Sequence, residues 1–378
     1  MSDPSTLFAD DYSASRTRFR AALDRLRARW PSAQLHSYPI AGDESLTTDW
    51  IEAPPTDQNS LLFVLTTGEH GIEGYVGSAM LQLFIKEISG RLEPRHTGLL
   101  LVHAINPWGM HNRRRTNAAN VDLNRSFVSQ LSGLDPALNP GYARLDPILN
   151  PPRPLRNLPL SQLAVLRSMV VHLLRMGPAN LRAVILQGQY RYPRGLYYGG
   201  QTLQEETRQL ISLYRQTPTP YDHVVQIDIH TGAGPRDQMT LVNSSMETRS
   251  SRDLERLFAY PRVVKATLDE FYPMQGDMID FVYALFRDEF PAKRLFATAF
   301  EFGTLGESLA GQIRDLRTMI WENQIFQFGT PSPSIRRRVL HDFLELYAPH
   351  EAAWRAKALS DARQAFEGIL RAEGFLTA

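Results

Sequence analysis

Short apolar runs alternate with helical patterns along most of this chain, and that alternation limits the folds it can adopt. Buried strands are predicted at residues 61–65, 98–105, 184–187, 224–229 and 295–300, with two shorter strands at 35–40 and 46–51. Helical spacing of apolar residues predicts helices at residues 12–30, 75–88, 160–176, 202–217 and 334–370. Because strands and helices alternate, we expect an α/β fold, a three-layer α/β/α sandwich with a mixed, mostly parallel sheet.

The length of the chain, 378 residues, fits one large α/β domain as well as two or three smaller domains. The segment 134–159 contains seven prolines, and proline fixes φ and removes a hydrogen-bond donor. We therefore predict a rigid irregular loop there and not a domain linker. The expectation is a single domain over residues 1–378, with the helix at 12–30 and the helices at 334–370 packed on its core.

The composition excludes several kinds of site and partner. The sequence has no cysteine, so any metal must be bound by histidines and carboxylates. The 41 basic and 40 acidic residues give a net charge of +1, which provides no overall attraction for nucleic acid. The chain shows no signal-peptide pattern and no run of about 18 apolar residues, so we expect a cytoplasmic protein without a membrane segment.

Polar residues stand at the ends of the predicted strands, where an open α/β sheet binds its ligands. After the strand 61–65, His70 and Glu73 are three residues apart, so in a helical turn both could bind one cation. His230 ends the strand 224–229 before a glycine-rich turn and could supply a second imidazole. Two histidines and one carboxylate leave a fourth tetrahedral position for water, as in catalytic zinc sites. Taken alone, each histidine could also be purely structural.

Two further carboxylates occur in the late strands. Glu301 lies between two phenylalanines, and burying it unpaired would cost several kcal/mol, so it must be neutral, paired or next to a cation. Apolar neighbours would raise its pKa toward the range of a general base, whereas a salt bridge to an arginine is the structural alternative. Asp228, two residues before His230, could orient a ligand or pair with an arginine.

An arginine run at 113–115 lies between the sequences Asn-Pro-Trp-Gly at 106–109 and Val-Asp-Leu-Asn-Arg at 121–125. Arginine can bind a carboxylate through bidentate hydrogen bonds, and it provides a fixed positive charge for a developing oxyanion. By itself, an arginine run is usually a solvated surface.

Together these motifs resemble those of the zinc carboxypeptidases of the carboxypeptidase A type, and more closely their bacterial carboxypeptidase-like branch. The matching motifs, in the order of that family, are HxxE at 70–73, NPxG at 106–109, the arginine run, VDLNR at 121–125, IHTG at 229–232 and Glu301. They span roughly residues 60 to 305. The segment 188–200 also looks like that bacterial branch.

The resemblance implies a metal centre. One zinc ion per chain would be bound by His70, Glu73 and His230, with Asp122 as the partner that orients His70. Glu301 would be the base that activates water together with zinc. This agrees with elementary chemistry, because zinc lowers the pKa of bound water to about 7 and stabilises a tetrahedral oxyanion.

The resemblance also implies substrate contacts. Arg115, or else Arg114, would polarise the scissile carbonyl, and Asn124 and Arg125 would hold the terminal carboxylate of the substrate. The spacing from the arginine run to Asn124 is short, as in the related aspartoacylase and succinylglutamate desuccinylase type. The mobile substrate-binding tyrosine of the digestive enzymes has no clear counterpart, and Tyr272 and Tyr283 are its candidates.

We therefore interpret the sequence as a zinc-dependent hydrolase of an amide or peptide bond adjacent to a free carboxylate. The alternative at the same site is an N-acyl amino acid amidohydrolase, so the expected partner is a peptide or an N-acyl amino acid. A different class is a non-catalytic module that binds anions in the arginine cleft. Such a module would be indicated by loss of a zinc ligand or of Glu301, and none of them is missing from the sequence. The oligomeric state is not predicted.

Overall fold

A mixed sheet of eight strands forms the centre of the computed structural model, which describes residues 4–40, 43–267, 269–271 and 274–376. In chain order the strands are β1 Gln34–Ile40, β2 Asp43–Ala53, β3 Leu61–Thr67, β4 Thr97–His103, β5 His223–Gly232, β6 Thr240–Asn243, β7 Val263–Lys265 and β8 Arg294–Gly303. Their spatial order is β1-β2-β4-β3-β5-β8-β6-β7. The four central strands β4, β3, β5 and β8 are parallel to one another, whereas β1, β2 and β6 pair antiparallel with their neighbours β2, β4 and β8.

Helices pack against both faces of this sheet. In chain order they are α1 Tyr12–Arg27, α2 Gly74–Leu83, α3 Pro107–His111, α4 Asp146–Leu149, α5 Leu158–Met176, α6 Pro178–Leu186, α7 Glu205–Gln216, α8 Ser251–Phe258, α9 Met278–Glu289, α10 Leu309–Phe328, α11 Pro333–Tyr347 and α12 Ala352–Ala372. Taken one at a time, the helices of the described residues are too short or too polar to cross a membrane; α5 and α6, bent by 115° at their junction, meet the same length and composition test as a pair.

The side chains of β3 show why the fold has three layers. Successive residues of a strand point to opposite faces, so Phe63 and Leu65 enter one apolar cluster while Leu62 and Val64 enter the other. The first cluster also contains side chains of α1, α2, α11 and α12, and the second contains those of α7 and α9. The predicted α/β/α sandwich with a mostly parallel centre is therefore confirmed.

One predicted strand is wrong. Residues 184–187 belong to the end of α6 and its cap, not to a strand. A four-residue apolar run cannot by itself distinguish a buried strand from one face of a helix. Here Pro178 occupies the first turn, where its fixed φ and missing N–H suit a helix. The predicted helical pair at 334–370 is confirmed as α11 and α12. The proline-rich segment contains short helical pieces such as α4, and α5 begins at its end.

A buried histidine at the end of β4 is expected to make stability depend on pH. The His103 ring stacks on Phe19 with centroids 5.3 Å apart, and its Nε2 lies 2.6 Å from Ser15 Oγ. Burial lowers the pKa of His103 from 6.5 to about 4. Between these two values the unfolded chain binds the proton and the folded chain does not, so the free energy of unfolding falls as pH falls. The loss amounts to about 3 kcal/mol at most.

Urea denaturation at pH 7.5 and pH 4.5 measures this loss. We expect the drop in unfolding free energy to be smaller in His103→Gln than in the wild type. The exposed His111 provides the matched control, since His111→Gln removes a histidine without removing a buried one. An equal drop in the wild type and in His103→Gln would contradict the assignment.

Candidate metal centre and catalytic site

The sheet brings three predicted site residues to one edge. β3, β5 and β8 are adjacent and parallel, so their carboxyl ends meet. Thr67, at the end of β3, pairs with Ile229, and His230 pairs directly with Glu301 of the next strand. His70 follows β3 by three residues and therefore lies beside His230.

Close backbone packing holds the turn that carries His70. Gly68 has a left-handed φ of +69°, which favours glycine. Gly71 donates its N–H to the carbonyl of Arg115, and a Cβ at Gly71 would lie 2.2 Å from the carbonyl carbon of Gly109. Asn106 in turn accepts the N–H of Gly109 at 2.8 Å. The NPxG turn and the arginine run are thus the scaffold of the HxxE turn.

Three potential ligand groups converge at this edge. The Nδ1 atoms of His70 and His230 are 3.3 Å apart. The carboxylate of Glu73 lies between them, 2.9 Å from His70 Nδ1 and 3.3 Å from His230 Nδ1. Asp122 Oδ1 lies 3.0 Å from His70 Nε2. When Nε2 carries the proton and donates it to Asp122, the Nδ1 lone pair is available to a metal. All four side chains are buried.

A further carboxylate, Glu69, was not predicted from the sequence. Its side chain is fully buried, and neither carboxylate oxygen has a hydrogen-bond partner among the described residues. Glu69 Oε2 lies 3.4 Å and Asp228 Oδ2 lies 2.5 Å from His230 Nε2. Burial, and then the negative charge of Asp228, raise the pKa of Glu69 well above its ordinary value. Ligand atoms of Glu69, His70 and His230 lie within 4.8 Å of one another, so these three residues form a possible metal-binding group.

The charges at this edge fit a divalent cation. Burial alone would raise the pKa of Glu73, but His70, the hydrogen bonds with His230 and His70, and Arg115 hold it below its ordinary value. Burial alone would lower the pKa of His230, but Asp228 and Glu73 hold it well above its ordinary value. Two imidazoles face the Glu73 carboxylate, and the Glu69 carboxylate behind them has no hydrogen-bond partner among the described residues. Imidazoles and carboxylates of this kind are a donor set that zinc binds.

A cavity of about 350 Å³ opens onto this group. His70, Glu73 and His230 line it, whereas Glu69 and Asp228 do not and lie on the far side of the His230 ring. The open face of the group is therefore formed by the predicted triad. The other predicted residues that line the cavity are Arg115, Asn124, Arg125 and Glu301.

Glu301 lies in the wall of the same cavity. Its Oε1 accepts the N–H of Ala233 at 2.9 Å, which fixes the carboxylate at the cavity wall. Burial, and then the negative charge of Glu73, raise its pKa to about 8. It forms no ion pair with an arginine within the described ranges, so the structural alternative considered from the sequence does not apply.

The two candidate arginines, Arg114 and Arg115, have different surroundings. Arg115 lines the cavity and forms ion pairs with Glu73 (3.0 Å) and Asp122 (3.1 Å), and its Nη2 lies 2.6 Å from His70 Nε2. Arg114 points instead to α10, where Glu322 accepts from it at 2.9 and 3.2 Å. Arg114 does not line the cavity, because a buried carboxylate 208 residues later pairs with it.

Asn124 and Arg125 lie side by side in the cavity wall. Asn124 Oδ1 accepts the first N–H of α9, from Met278, at 2.9 Å. The Arg125 guanidinium donates to the carbonyls of Asn124 and Leu186, both at 2.8 Å. It is almost fully buried and forms no ion pair with any carboxylate that the structure describes. A buried positive charge that meets only neutral acceptors suits an anionic ligand.

Tyr197 and Tyr347, which were not predicted from the sequence as site residues, also line the cavity. The Arg115 guanidinium lies 5.9 Å from the centre of each ring. Tyr283, one of the predicted tyrosines, donates instead to Glu247 at 2.8 Å and is not among the lining residues. The other, Tyr272, lies outside the described residues.

The chain belongs to the family described as "Protein of unknown function (DUF2817)", which matches residues 8–361. No curated protein matches it. It is similar to bovine thrombin-activatable fibrinolysis inhibitor, solved in complex with tick carboxypeptidase inhibitor (TM-score 0.45, 14% identity, 82% of this chain and 94% of that chain). It is also similar to a candidate metallopeptidase from Shewanella amazonensis SB2B (0.42, 12%, 84% and 94%) and to a succinylglutamate desuccinylase from Silicibacter sp. TM1040 (0.36, 14%, 79% and 67%). These neighbours are of the types that the sequence motifs resemble.

Proposed function

We propose that this protein is a zinc-dependent hydrolase of an amide or peptide bond adjacent to a free carboxylate. One observation carries the proposal: His70 Nδ1, His230 Nδ1 and the Glu73 carboxylate lie within 3.3 Å of one another, in the same cavity as Glu301. A purely structural cluster does not require these ligand atoms to face a cavity beside a second carboxylate, Glu301.

The metal would be held by His70, Glu73 and His230. When bound, zinc supplies a positive charge that makes water a stronger acid and stabilises negative charge on a carbonyl oxygen. Asp122 fixes the His70 ring by accepting from Nε2, so that Nδ1 faces the cavity. Asp228 and Glu69 place negative charge next to His230 Nε2, on the opposite side of that ring from the cavity.

Glu301 would move the proton. Its carboxylate accepts a proton from the attacking water and returns it to the leaving amine, so that one group acts as base and then as acid. The hydrogen bond from Ala233 keeps one carboxylate oxygen in place and leaves the other free for this exchange. A pKa raised by burial matches the group to proton transfer near neutral pH.

Arg125 and Arg115 would fix the substrate. The buried Arg125 guanidinium binds the substrate carboxylate and thereby sets which bond reaches the site. Arg115, held by Glu73 and Asp122, places a fixed positive charge beside the carbonyl oxygen as negative charge develops there.

Metal content per chain tests this proposal first. Elemental analysis of the purified full chain should give about one zinc per chain in the wild type and almost none in His70→Ala. His341→Ala, which removes an exposed histidine of α11, should keep the metal and controls for non-specific loss. A wild type that lacks metal and does not take up added zinc would overturn the proposal in favour of a non-catalytic anion-binding module.

A substrate panel tests the reaction. The zinc-loaded protein is assayed with C-terminal dipeptides and with N-acyl amino acids, and hydrolysis should disappear with a chelator and return with zinc. Activity on the dipeptides alone would indicate a carboxypeptidase. Activity on the acylated amino acids alone would indicate an amidohydrolase.

A further inference from the structure

The cavity extends from the proposed metal site along the helix pair α5 and α6. α5 lines it with Leu166, Met169, Val170 and Leu173, which are spaced i, i+3, i+4 and i+7 and therefore form one stripe along the helix. The same cavity holds His70, Glu73 and Arg125, so this stripe is continuous with the proposed reaction centre.

The second helix repeats this pattern. α6 contributes Pro178, Leu181, Ile185 and Leu186, and Arg182 is the charged exception. Because the two helices are bent by 115° at their junction, their apolar stripes form the two sides of a concave wall. The segment between β8 and α10, continuing into α10, adds Leu305, Leu309, Ile313 and Leu316. We name the surface formed by these lining residues of α5, α6 and 305–316 the apolar trough.

Several residues of the apolar trough remain exposed. The exposed fraction is 54% for Val170, 37% for Leu173 and 67% for Leu309. Covering apolar surface of this kind gains about 25 cal/mol per Å². A ligand that reaches the metal site at one end and lies in the trough at the other would obtain this gain.

The trough suits an aliphatic chain better than a peptide. Two of its three sides are helices, whose backbone N–H and C=O groups are bonded within the helix. Most of its side chains are hydrocarbon, and the polar ones are Arg182, Glu307, Gln312 and Asp315. Where the amide groups of a peptide faced the hydrocarbon side chains, they would lose water without gaining partners, at a cost of roughly 1–3 kcal/mol each. An aliphatic chain has no such groups. The other end of the cavity is polar and offers the buried Arg125 to a carboxylate.

We propose that the substrate is an N-acyl amino acid with a long aliphatic acyl chain, which lies in the apolar trough while Arg125 binds the carboxylate. This inference rests on the amide hydrolysis proposed above. The oxygen of water forms a bond to the acyl carbon, the C–N bond of the amide breaks, and a proton from water passes to the leaving nitrogen. The products are a fatty carboxylate and the free amino acid.

The test is a series of N-acyl derivatives of one amino acid, from acetyl to hexadecanoyl, assayed with the zinc-loaded full chain. We expect kcat/KM to rise about fourfold for each added CH₂, the equivalent of about 0.8 kcal/mol, until the trough is filled. A flat series in a protein that hydrolyses the acetyl compound would overturn the proposal while leaving amide hydrolysis intact. Hydrolysis of dipeptides without hydrolysis of any acyl compound would do the same.

Two double variants test whether the dependence of kcat/KM on acyl chain length arises in the apolar trough. The double variant Val170→Ser, Leu173→Ser alters two partly exposed lining residues. The ratio of kcat/KM for the decanoyl substrate to kcat/KM for the acetyl substrate should fall about tenfold or more in this variant. The double variant Leu163→Ser, Leu174→Ser is the matched control. Both leucines lie on the same helix and are more exposed than Val170 and Leu173, but they do not line the cavity. An equal fall in the control pair would show that the trough is not the chain-binding surface.

Binding without turnover separates the two proposals. Calorimetry with acetate, hexanoate and decanoate measures the trough even if no substrate is cleaved. Affinity that increases with chain length in a protein without hydrolase activity would support the trough and overturn the proposed reaction. Affinity that does not depend on chain length would overturn the trough whatever the activity.

Discussion

Glu301→Gln is expected to lower kcat for amide hydrolysis by about 10²–10⁴-fold, the usual contribution of a positioned general base, without loss of bound zinc. Glutamine has nearly the same volume and keeps an oxygen that can accept the N–H of Ala233. It cannot accept a proton from water. The measurement is single-substrate kinetics on the compound that the panel identifies, with elemental analysis of the same preparation.

Glu307→Gln is the matched control for this variant. Glu307 also lines the cavity, but it is exposed and forms an ion pair with Arg262, so we expect its neutralisation to change kcat little. Retained activity in Glu301→Gln would remove Glu301 from the mechanism, and loss of zinc would make it a ligand instead of a base.

The pH profile gives the same variant a second readout. Burial and Glu73 raise the pKa of Glu301 to about 8, and a bound cation would lower it because positive charge favours the carboxylate. Glu301 accepts a proton only when it is ionised, so the wild-type rate should fall as pH falls through its pKa. This acid limb should be absent from the residual activity of Glu301→Gln.

The convergence of the site could be predicted because it follows from parallel strands. His70, His230 and Glu301 each stand at the carboxyl end of an apolar run, and the carboxyl ends of parallel strands meet at one edge. The structure adds the order of the strands, β3-β5-β8, which the sequence pattern did not specify. That order makes His230 and Glu301 direct neighbours across two strands.

The roles of Arg114 and Arg115 could not be distinguished from the sequence. The two residues are adjacent in an irregular turn, where no periodicity predicts which side chain faces the sheet edge. The choice depends on Glu322, which α10 places next to Arg114. Long-range pairing of this kind has no local signal.

Glu69 and Asn243 were missed for different reasons. Glu69 directly precedes His70 and, like Glu301, is a carboxylate near the end of an apolar strand, so the same cost of burying an unpaired charge indicates it. Asn243 belongs to β6, which the sequence analysis did not predict. It lines the cavity, and neither of its buried amide atoms is hydrogen-bonded within the described part of the chain.

The position of Arg125 explains why its charge should control substrate choice. Gly188 and Gly276 allow backbone to pack directly on it, since a Cβ at Gly188 would lie 2.6 Å from Arg125 Cδ and one at Gly276 would lie 2.4 Å from its carbonyl oxygen. The guanidinium is thereby fixed against the carbonyls of Asn124 and Leu186. Neither carbonyl neutralises it, so we propose that a substrate carboxylate supplies the missing negative charge.

Arg125→Lys is therefore expected to lower kcat/KM for substrates with a free carboxylate by about 10²–10³-fold. The lysine ammonium cannot form the bidentate hydrogen bonds that the guanidinium would make with the buried substrate carboxylate. Amidated analogues of the same substrates lack the negative charge and should change little between wild type and variant. Arg182→Lys, at an exposed arginine of the same cavity, should preserve the preference for the carboxylate. Zinc content and thermal melting of each variant report whether the site and fold are intact. Equal losses on carboxylate and amidated substrates would show that Arg125 supports the cavity wall and does not bind the carboxylate.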